Sequence, residues 1–285
     1  MFWKYEKSDN IYFEKVRKIN CSTAIIFIHG FGGSRNYWRG MQNSLANKYS
    51  LYFIDLLGFG FSKKPEIIYT LSTHINAVHT FISNYVEESN IIFVGHSLGA
   101  IIALGYTAKY PENVLKTILV SLPYYHNSAE ARRCISEHSS LSFVYGDTLG
   151  AHISCHIVCM FRPFFIFISP LFARDKQKVL IKDSLYHTHQ SYFSTLKNVV
   201  INQNLEKLLI REVTHKFVLV HGENDKLAPV SNIKELVKRF KLNSIILKNT
   251  GHDIPYTHSR ELVKIINPQK ITLNPYQGYV LSVIE

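Results

Sequence analysis

Cysteine is scarce in this sequence, with only 4 residues in 285. Their spacing lacks the regularity of a disulfide framework, and the first residues turn from apolar to charged too soon for a secretory signal peptide. We therefore expect reduced thiols and a cytoplasmic protein. The cysteines are Cys21, Cys134, Cys155 and Cys159.

Long apolar runs are also absent. The most apolar stretch, residues 157–173, contains Arg162, Pro163 and Pro170. It therefore falls short of the roughly 20 clean apolar residues that a membrane-spanning helix needs. The sequence predicts no transmembrane segment.

The charge distribution excludes further classes of protein. No block of five like charges occurs, and no nucleic-acid-binding motif is present, so we expect no nucleic acid as partner. The 32 basic and 21 acidic residues nevertheless give a net charge of +11. That balance favours an acidic partner, such as an anionic membrane face or an acidic carrier protein, although a solvated lysine-rich surface explains it equally well.

What the sequence does contain is typical of a large folded α/β protein. Hydrophobic residues make up 46% of the chain and charged residues 19%, which argues against disorder. Continuously apolar segments alternate with helical patterns, and this order predicts a mostly parallel sheet with helices on both faces. The predicted strands are residues 23–28, 51–56, 91–94, 116–120, 217–220 and 244–247.

The alternation stops at Pro123 and returns after Leu209. We therefore predict a core made of residues 1–122 and 210–285, interrupted by a helical lid of residues 123–209. Open α/β sheets bind ligands beyond the carboxyl ends of their strands, and the lid is expected to lie there. The first 20 residues predict an antiparallel hairpin at one sheet edge, and residues 268–285 could add a further edge strand.

A serine stands between one predicted strand and the helix that follows it, in Gly95-His96-Ser97-Leu98-Gly99. The Gly-x-Ser-x-Gly pattern alone is weakly specific, but between a strand and a helix it predicts a nucleophile elbow. The glycines let the chain turn sharply without clashes against the packed strand and helix. The backbone at Ser97 is therefore expected to be strained, and its hydroxyl to be exposed.

A serine nucleophile needs a base and a group that orients the base. Asp225 and His252 each follow a predicted strand, and the order Ser97, Asp225, His252 is that of a hydrolase triad. Glu223 is the rival acid, and His258 and the histidines of the lid are rival bases. Gly251 favours His252, since a glycine permits a tight loop there.

The same chemistry needs donors for a developing oxyanion. The backbone N–H of Leu98 follows the nucleophile, and that of Phe31 lies in the glycine-rich loop after the first core strand. Such a loop could also bind phosphate, but the Gly-Lys ending of a Walker motif is missing. We predict that Phe31 and Leu98 form an oxyanion hole.

Taken together, these motifs resemble the α/β-hydrolase superfamily, in its lidded serine esterase branch, over nearly the whole chain up to Ile266. The departures are Leu57, where the family often has proline, and Ala100, where it often has glycine. The resemblance implies a serine hydrolase that cleaves carboxylic esters without a cofactor. The matching segments are His29-Gly30-Phe31-Gly32-Gly33, Asp55-Leu56-Leu57-Gly58-Phe59-Gly60-Phe61-Ser62, the elbow, His221-Gly222-Glu223-Asn224-Asp225 and Gly251-His252.

The lid is expected to determine which substrate and which partner the protein binds. Similarity to pimelyl-carrier methyl-ester esterases implies an ester on an acidic acyl carrier protein, as in biotin biosynthesis, docked by basic residues of the lid. A thioesterase, an amidase, a carbon–carbon bond hydrolase or a non-catalytic receptor remain alternatives on the same residues. The expected substrate contacts are Trp38, Phe143, Phe161 and Phe164, and the expected partner contacts are Arg132, Arg133, Arg162 and Arg174.

The lid also carries His152, Cys155, His156 and Cys159, which share one face of a predicted helix. Histidine and cysteine bind zinc, but four ligands on one short helix cannot readily surround a tetrahedral ion. The sequence therefore predicts packing within the lid and no metal site.

Overall fold

The computed structural model describes residues 4–7, 10–138, 148–172, 175–267 and 281–284. Within them, nine strands form one sheet in the order β1-β2-β4-β3-β5-β6-β7-β8-β9. The strands are β1 (Lys4–Lys7), β2 (Tyr12–Val16), β3 (Thr23–Ile28), β4 (Ser50–Ile54), β5 (Asn90–His96), β6 (Val114–Val120), β7 (Phe217–Gly222), β8 (Asn243–Leu247) and β9 (Leu281–Ile284).

Helices connect the strands and fill the segment between β6 and β7. The α-helices are α1 (Gln42–Leu45), α2 (Leu71–Tyr85), α3 (Leu98–Lys109), α4 (Ser128–His138), α5 (Leu149–Met160), α6 (Arg162–Ile168), α7 (Asp175–Ser184), α8 (His189–Thr195), α9 (Val230–Phe240), α10 (Ile254–Thr257) and α11 (Ser259–Ile266). Short 3₁₀ helices span Arg35–Met41, Ser169–Phe172, Leu205–Leu208 and Thr214–Lys216, and a π-helix spans Leu196–Ile201.

Strands β3 to β8 run parallel, as the apolar runs predicted, and both predicted edge features are present. At one edge β1 pairs antiparallel with β2, and β2 pairs antiparallel with β4. At the other edge β9 pairs parallel with β8, so the C-terminal segment does add a strand. The predicted α/β architecture with a mostly parallel sheet is therefore confirmed.

Residues 123–209, which we call the lid segment, contain helices and no strand among the residues described there. Its chain leaves the sheet after β6 and returns at β7, at the point where the sequence pattern broke. The division into a core and a lid otherwise stays a prediction.

Alternate residues of the central strands face opposite sides of the sheet. On β3, Ala24 and Ile26 pack into the larger core cluster with α2, α3 and the lid segment. Ile25 and Phe27 pack into the second cluster, with the 3₁₀ helix after β3 and with α11. Burial on both faces explains why these strands read as continuous apolar runs.

Trp38 belongs to that second cluster. It is fully buried, and its ring centroid lies 5.3 Å from that of Phe27. The prediction that Trp38 contacts substrate is therefore wrong: the 3₁₀ helix turns this side chain under the sheet, where burial of its large apolar surface stabilises the fold.

The start of α2 offers a test of the local sequence signals. The Thr70 hydroxyl accepts a hydrogen bond from the Thr73 N–H at 3.1 Å, and the Thr73 hydroxyl accepts one from the Thr70 N–H at 3.3 Å, which makes a capping box. We predict that Thr70→Ala lowers the free energy of unfolding by about 1 kcal/mol, measured by urea denaturation. Thr80→Ala, on the exposed side of the same helix, is the control and should be neutral or slightly stabilising, since alanine is the better helix former. An equal loss in both variants would contradict the cap.

Candidate active site

Ser97 sits at a sharp turn between β5 and α3. Its backbone has φ 52° and ψ −116°, a conformation that L-residues rarely adopt. The turn brings α3 so close to β3 that a Cβ at Gly99 would overlap the carbonyl groups of Ile28 and His29. The glycines of the motif are therefore required by contact, and they hold Ser97 beyond the carboxyl end of the central strand.

The structure brings Ser97, His252 and Asp225 together in one hydrogen-bonded chain. The Ser97 Oγ lies 3.0 Å from His252 Nε2, and His252 Nδ1 lies 2.8 Å from the Asp225 carboxylate. Each residue follows a different parallel strand, so the three meet at the same edge of the sheet. This is the arrangement in which an imidazole can take a proton from a hydroxyl while a carboxylate holds its orientation.

The Asp225 carboxylate is buried and fixed from two further sides. Its Oδ1 accepts a hydrogen bond from the Ala228 N–H at 2.8 Å, and His221 Nε2 lies 3.4 Å from its Oδ2. Burial raises the pKa of this carboxyl, but the charge and hydrogen bond of His252 outweigh burial and hold the pKa below its ordinary value. Asp225 is therefore ionised at neutral pH and keeps the Nδ1 proton of His252 in place.

The His252 imidazole is the group tuned for proton transfer. Burial lowers its pKa, but the charge of Asp225 and the Nδ1 hydrogen bond raise the pKa by more than burial lowers it. The net pKa therefore lies above the ordinary 6.5. Its side chain is 15% exposed, on the side that faces the cavity. A base with a pKa near the working pH combines the right protonation state with a useful driving force.

Two residues that the sequence analysis did not single out hold the backbone of His252. The carbonyl oxygen of His252 accepts hydrogen bonds from the Ser121 hydroxyl at 2.8 Å and from His96 Nε2 at 3.0 Å. Burial lowers the pKa of His96 to about 4, so its ring is neutral and can keep a proton on Nε2 for this bond. Ser121 has φ 49°, a conformation that a serine in this position does not signal in the sequence.

Glu223 and His258, the rival acid and base, point elsewhere. The Glu223 carboxylate accepts a long hydrogen bond from the Asn249 N–H at 3.3 Å, and His258 Nε2 lies 3.2 Å from the Thr250 hydroxyl. The choice of Asp225 and His252 therefore agrees with the geometry. The prediction that a glycine is needed at position 251 for a tight loop before His252 is wrong, because the φ of Gly251 is not positive and a Cβ there would meet open space.

The glycine-rich loop after β3 is ordered by His29. His29 Nδ1 donates to the Gly30 carbonyl at 2.7 Å, the Gly33 N–H donates to the same oxygen at 3.0 Å, and His29 Nε2 accepts from the Leu56 N–H at 2.9 Å. Because the peptide between Gly30 and Phe31 is trans, the Phe31 N–H points away from that carbonyl. Burial lowers the pKa of His29, which keeps the ring in this neutral form.

The second predicted donor is the N–H of Leu98. Leu98 is the first residue of α3, and the first N–H groups of a helix have no acceptor within the helix. It follows Ser97 directly, so this donor and the hydroxyl share one turn. Phe31 lines the same cavity as Ser97. The assignment of the two N–H groups to an oxyanion hole stays a prediction.

A cavity of about 640 Å³ opens over Ser97 and His252. This volume is ordinary for a site that encloses a small molecule. Side chains of the lid segment form much of its wall, and the wall is mainly aromatic and aliphatic. The apolar contributors are Phe31, Tyr37, Pro123, Tyr125, Ile135, Tyr192, Leu196, Val200 and Leu227.

Comparison with known proteins now adds to this geometry. Residues 23–143 match the family model of the alpha/beta hydrolase fold. Among solved structures, an E-2-(acetamidomethylene)succinate hydrolase has a TM-score of 0.71 at 16% identity, covering 93% of this chain and 98% of that one. An esterase from Exiguobacterium antarcticum has a TM-score of 0.65 at 19% identity, covering 90% and 93%. The chain has the α/β-hydrolase fold.

Among curated proteins, a probable lysophospholipase, BODYGUARD 4 of Arabidopsis thaliana, is 29% identical over 253 residues. The match covers 81% of this chain and 60% of the plant protein. The chain thus spans about 60% of the length of this relative.

The structure does not place the remaining predicted substrate contacts in the described wall of the cavity. Phe161 and Phe164 are more than half exposed and are absent from the described wall of the cavity. The structure therefore does not support either residue as part of the cavity wall, because both rings face solvent at or just after the bend between α5 and α6. Phe143 lies outside the described residues. Tyr192 and Leu196, which the sequence analysis missed, are among the lid side chains that reach the cavity, and no local motif marks them.

The basic residues predicted to bind a partner lie in three settings. Arg132 and Arg133 are exposed on α4, and Arg133 also borders a smaller cavity beside the first. Arg162 is partly buried, and its guanidinium donates to the backbone carbonyl of His187, so it is engaged within the lid segment. Arg174 lies outside the described residues.

Among the described helices, none alone has the length and apolar character to cross a membrane. Helices α5 and α6 together reach that length and character, but an 87° bend separates them.

The elbow makes a prediction about stability. Gly99→Ala should lower the free energy of unfolding by about 3 kcal/mol or more, because its Cβ would overlap two backbone carbonyls that cannot move independently. Gly251→Ala is the matched control, one residue from His252 but with open space around the new methyl group. It should leave stability unchanged or raise it by up to about 1 kcal/mol. Urea unfolding of both variants measures this, and a mild effect at Gly99 would mean that α3 does not approach β3 so closely.

Proposed function

We propose that the protein is a serine hydrolase of carboxylic esters, with Ser97 as nucleophile, His252 as general base and acid, and Asp225 as the group that orients His252. The observation that carries this proposal is the continuous hydrogen-bonded chain from the Ser97 hydroxyl to the buried Asp225 carboxylate. It ends in a cavity large enough for a substrate. The resemblance to lidded esterases supports the same reaction class.

In the first half of the reaction the Ser97 Oγ attacks the ester carbonyl while His252 Nε2 takes the hydroxyl proton. The carbonyl oxygen becomes an oxyanion, and in this proposal the N–H groups of Phe31 and Leu98 donate to it. Removal of one such donor typically costs about 2.7–4 kcal/mol of transition-state stabilisation. His252 then gives its proton to the leaving alcohol, and an acyl group stays on Ser97. Water then gives a proton to His252 and attacks the acyl carbonyl, the bond from the acyl group to Ser97 Oγ breaks, and His252 returns the proton to Oγ as the carboxylic acid leaves.

For the substrate we propose an ester of a single long acyl chain, of the lysophospholipid type. The apolar wall of the cavity supports an aliphatic acyl group. The curated relative described as a probable lysophospholipase supports the same class. Large apolar side chains also face solvent at helical spacing along α5 and α6, as expected of a lid that meets aggregated lipid. They are Leu149, Ile153, Ile157, Met160, Phe164 and Phe167.

A methyl ester on an acidic carrier protein is the second candidate. The net charge of +11 and the exposed Arg132 and Arg133 support it. It differs from the first in its leaving group and in its need for a protein partner, so a substrate series separates the two. Thioester, amide and carbon–carbon bond hydrolysis on the same residues belong in that series.

The first test of this function is Ser97→Ala. It should abolish both labelling by a fluorophosphonate and hydrolysis of p-nitrophenyl butyrate, because no hydroxyl remains to attack the carbonyl. The folded state is checked by circular dichroism. Activity that survives in the folded variant would exclude Ser97 as the nucleophile.

The substrate test uses the wild-type protein with lysophosphatidylcholines of increasing chain length and with free and carrier-bound methyl esters. Preference for a long-chain lysophospholipid supports the first candidate. Preference for the carrier-bound ester, lost when Arg132 and Arg133 are both replaced by Glu, supports the second.

The orienting carboxylate makes a prediction about pH. For the wild type, kcat/KM should fall as the pH drops through the His252 pKa, with its midpoint above 6.5, since protonated His252 cannot accept the serine proton. Asp225→Asn should lower kcat by about 10⁴-fold, as loss of this group does in other triads. It should also move the midpoint down, because burial then acts on His252 without the opposing carboxylate.

Glu223→Gln is the matched control for this prediction. Glu223 lies two residues before Asp225 and makes no hydrogen bond to His252 among the bonds described. Its replacement should leave kcat and the pH profile nearly unchanged. If Glu223→Gln were as damaging as Asp225→Asn, the assignment of the acid would be wrong.

A further inference from the structure

Two cysteines and a histidine meet inside the lid segment, outside the candidate active site. Cys155 and Cys159 lie one turn apart on α5, and His187 comes from the loop between α7 and α8. Their ligand atoms all lie within 4.8 Å of one another. The sequence analysis grouped His152 and His156 with the two cysteines. In the structure the histidine that contacts Cys155 is His187, some 30 residues further along the chain.

Two of the three distances within this cluster match those of a metal site. The two sulfur atoms are 3.8 Å apart, and Cys155 Sγ lies 3.5 Å from His187 Nε2. In a tetrahedral zinc site with Zn–S near 2.3 Å and Zn–N near 2.0–2.1 Å, sulfurs stand about 3.8 Å apart, and sulfur and nitrogen about 3.6 Å apart. The third pair, Cys159 Sγ and His187 Nε2, lies within 4.8 Å, so these two atoms would approach each other by at most about 1.2 Å to bind one ion.

The histidine already has the form that a ligand needs. His187 Nδ1 lies 2.7 Å from the Ser184 carbonyl, to which it can only donate. Nε2 is then the unprotonated nitrogen, and its lone pair faces the sulfurs. A backbone carbonyl on the far nitrogen is the usual outer partner of a metal-binding histidine, since it fixes both the tautomer and the orientation of the ring.

The surroundings suit an ion held by thiolates. Cys155 and His187 are buried, and Cys159 is partly exposed, which leaves a side open to solvent. Arg162 donates to the His187 carbonyl, and its Nε is buried without a hydrogen-bond partner among the described residues. Cys159 Sγ contacts the same carbonyl, so the guanidinium lies beside the cluster and has one N–H left for a group bound there.

We propose that Cys155, Cys159 and His187 bind one thiophilic cation of the Zn²⁺ type, with water in the fourth position, as a structural link within the lid. This goes against our sequence-based expectation of no metal. Soft thiolates with one imidazole select zinc or copper(I) over magnesium or calcium. Binding replaces the two thiol protons with bonds to the ion and requires no oxidant.

The link would act close to the hydrolase site. The His187 ring lies 4.9 Å from that of Tyr192, between ring centroids, and Tyr192 packs edge-on against Phe31 at 4.5 Å. Phe31 is the residue whose N–H is assigned to the oxyanion hole. An ion that joins α5 to the loop before α8 would therefore fix the wall of the cavity that Tyr192 forms.

The test is spectroscopic and does not depend on ester hydrolysis. The full chain, reduced and freed of metal, is titrated with Co²⁺ and then with Zn²⁺. We expect one Co²⁺ per chain, a thiolate-to-cobalt charge-transfer band, intense visible bands of tetrahedral cobalt, and loss of these bands as Zn²⁺ displaces the cobalt. Zinc should also protect two of the 4 thiols from a thiol reagent and raise the folding equilibrium constant about 100-fold at a free concentration 100 times Kd.

Variants identify the ligands. Cys155→Ser, Cys159→Ser and His187→Gln should each weaken Co²⁺ binding by about 100-fold or more, since each removes a ligand. Cys21→Ser and His156→Gln are the matched controls and should bind as the wild type does; His156 lies on α5 but stacks on His189.

The absence of the charge-transfer band in the reduced wild type would overturn the proposal, whether or not the variants fold. So would wild-type affinity in His187→Gln. A disulfide between Cys155 and Cys159 in protein purified without added oxidant, seen as a mass lower by two hydrogens, would replace the metal site with a redox pair.

Discussion

The strained turn at Ser97 is the constraint on which the rest of the site depends. A non-glycine residue holds φ at 52° only because β5 and α3 are packed on both sides of it. The closeness of α3 to β3, which Gly99 permits, fixes where the helix begins and hence where the N–H of Leu98 points. The proposed nucleophile and one proposed oxyanion donor are thus positioned by backbone packing in the core, before any side chain of the cavity contributes.

The other parts of the site are held by polar contacts made outside the triad itself. The His252 backbone is fastened by His96 and Ser121, and the Phe31 peptide is oriented through His29. Each contact ties one loop to the end of a neighbouring strand. Because the strands are parallel, the loops lie side by side at one edge, and short hydrogen bonds between them suffice to place atoms from distant parts of the chain within reach.

The lid segment follows different rules. Its outer face exposes large apolar side chains, and its inner residues supply Tyr192 and Leu196 to the cavity. It connects to the loop after β3 through Asp183, which accepts hydrogen bonds from the Ser34 hydroxyl at 2.5 Å and the Asn36 amide at 2.6 Å. The cysteine–histidine cluster also lies within this segment. The hydrogen bonds of Asp183 and the contacts of this cluster therefore both help to hold the lid segment over the cavity.

The sequence by itself determined the architecture and the chemistry of the centre. Three local signals were enough to find Ser97, Asp225 and His252. They are apolar runs that are buried on both faces, glycines at positions where a side chain would clash, and polar residues just after strands. Trp38, Phe161 and Phe164 were misplaced because an aromatic residue reads alike whether its helix turns it toward the core, the cavity or solvent. Tertiary structure alone decided which lid side chains line the cavity, and it alone joined His187 to Cys155 and Cys159. The physical reason is that helix orientation in a lid is set by packing between segments far apart in the chain, and no periodicity within one segment records it.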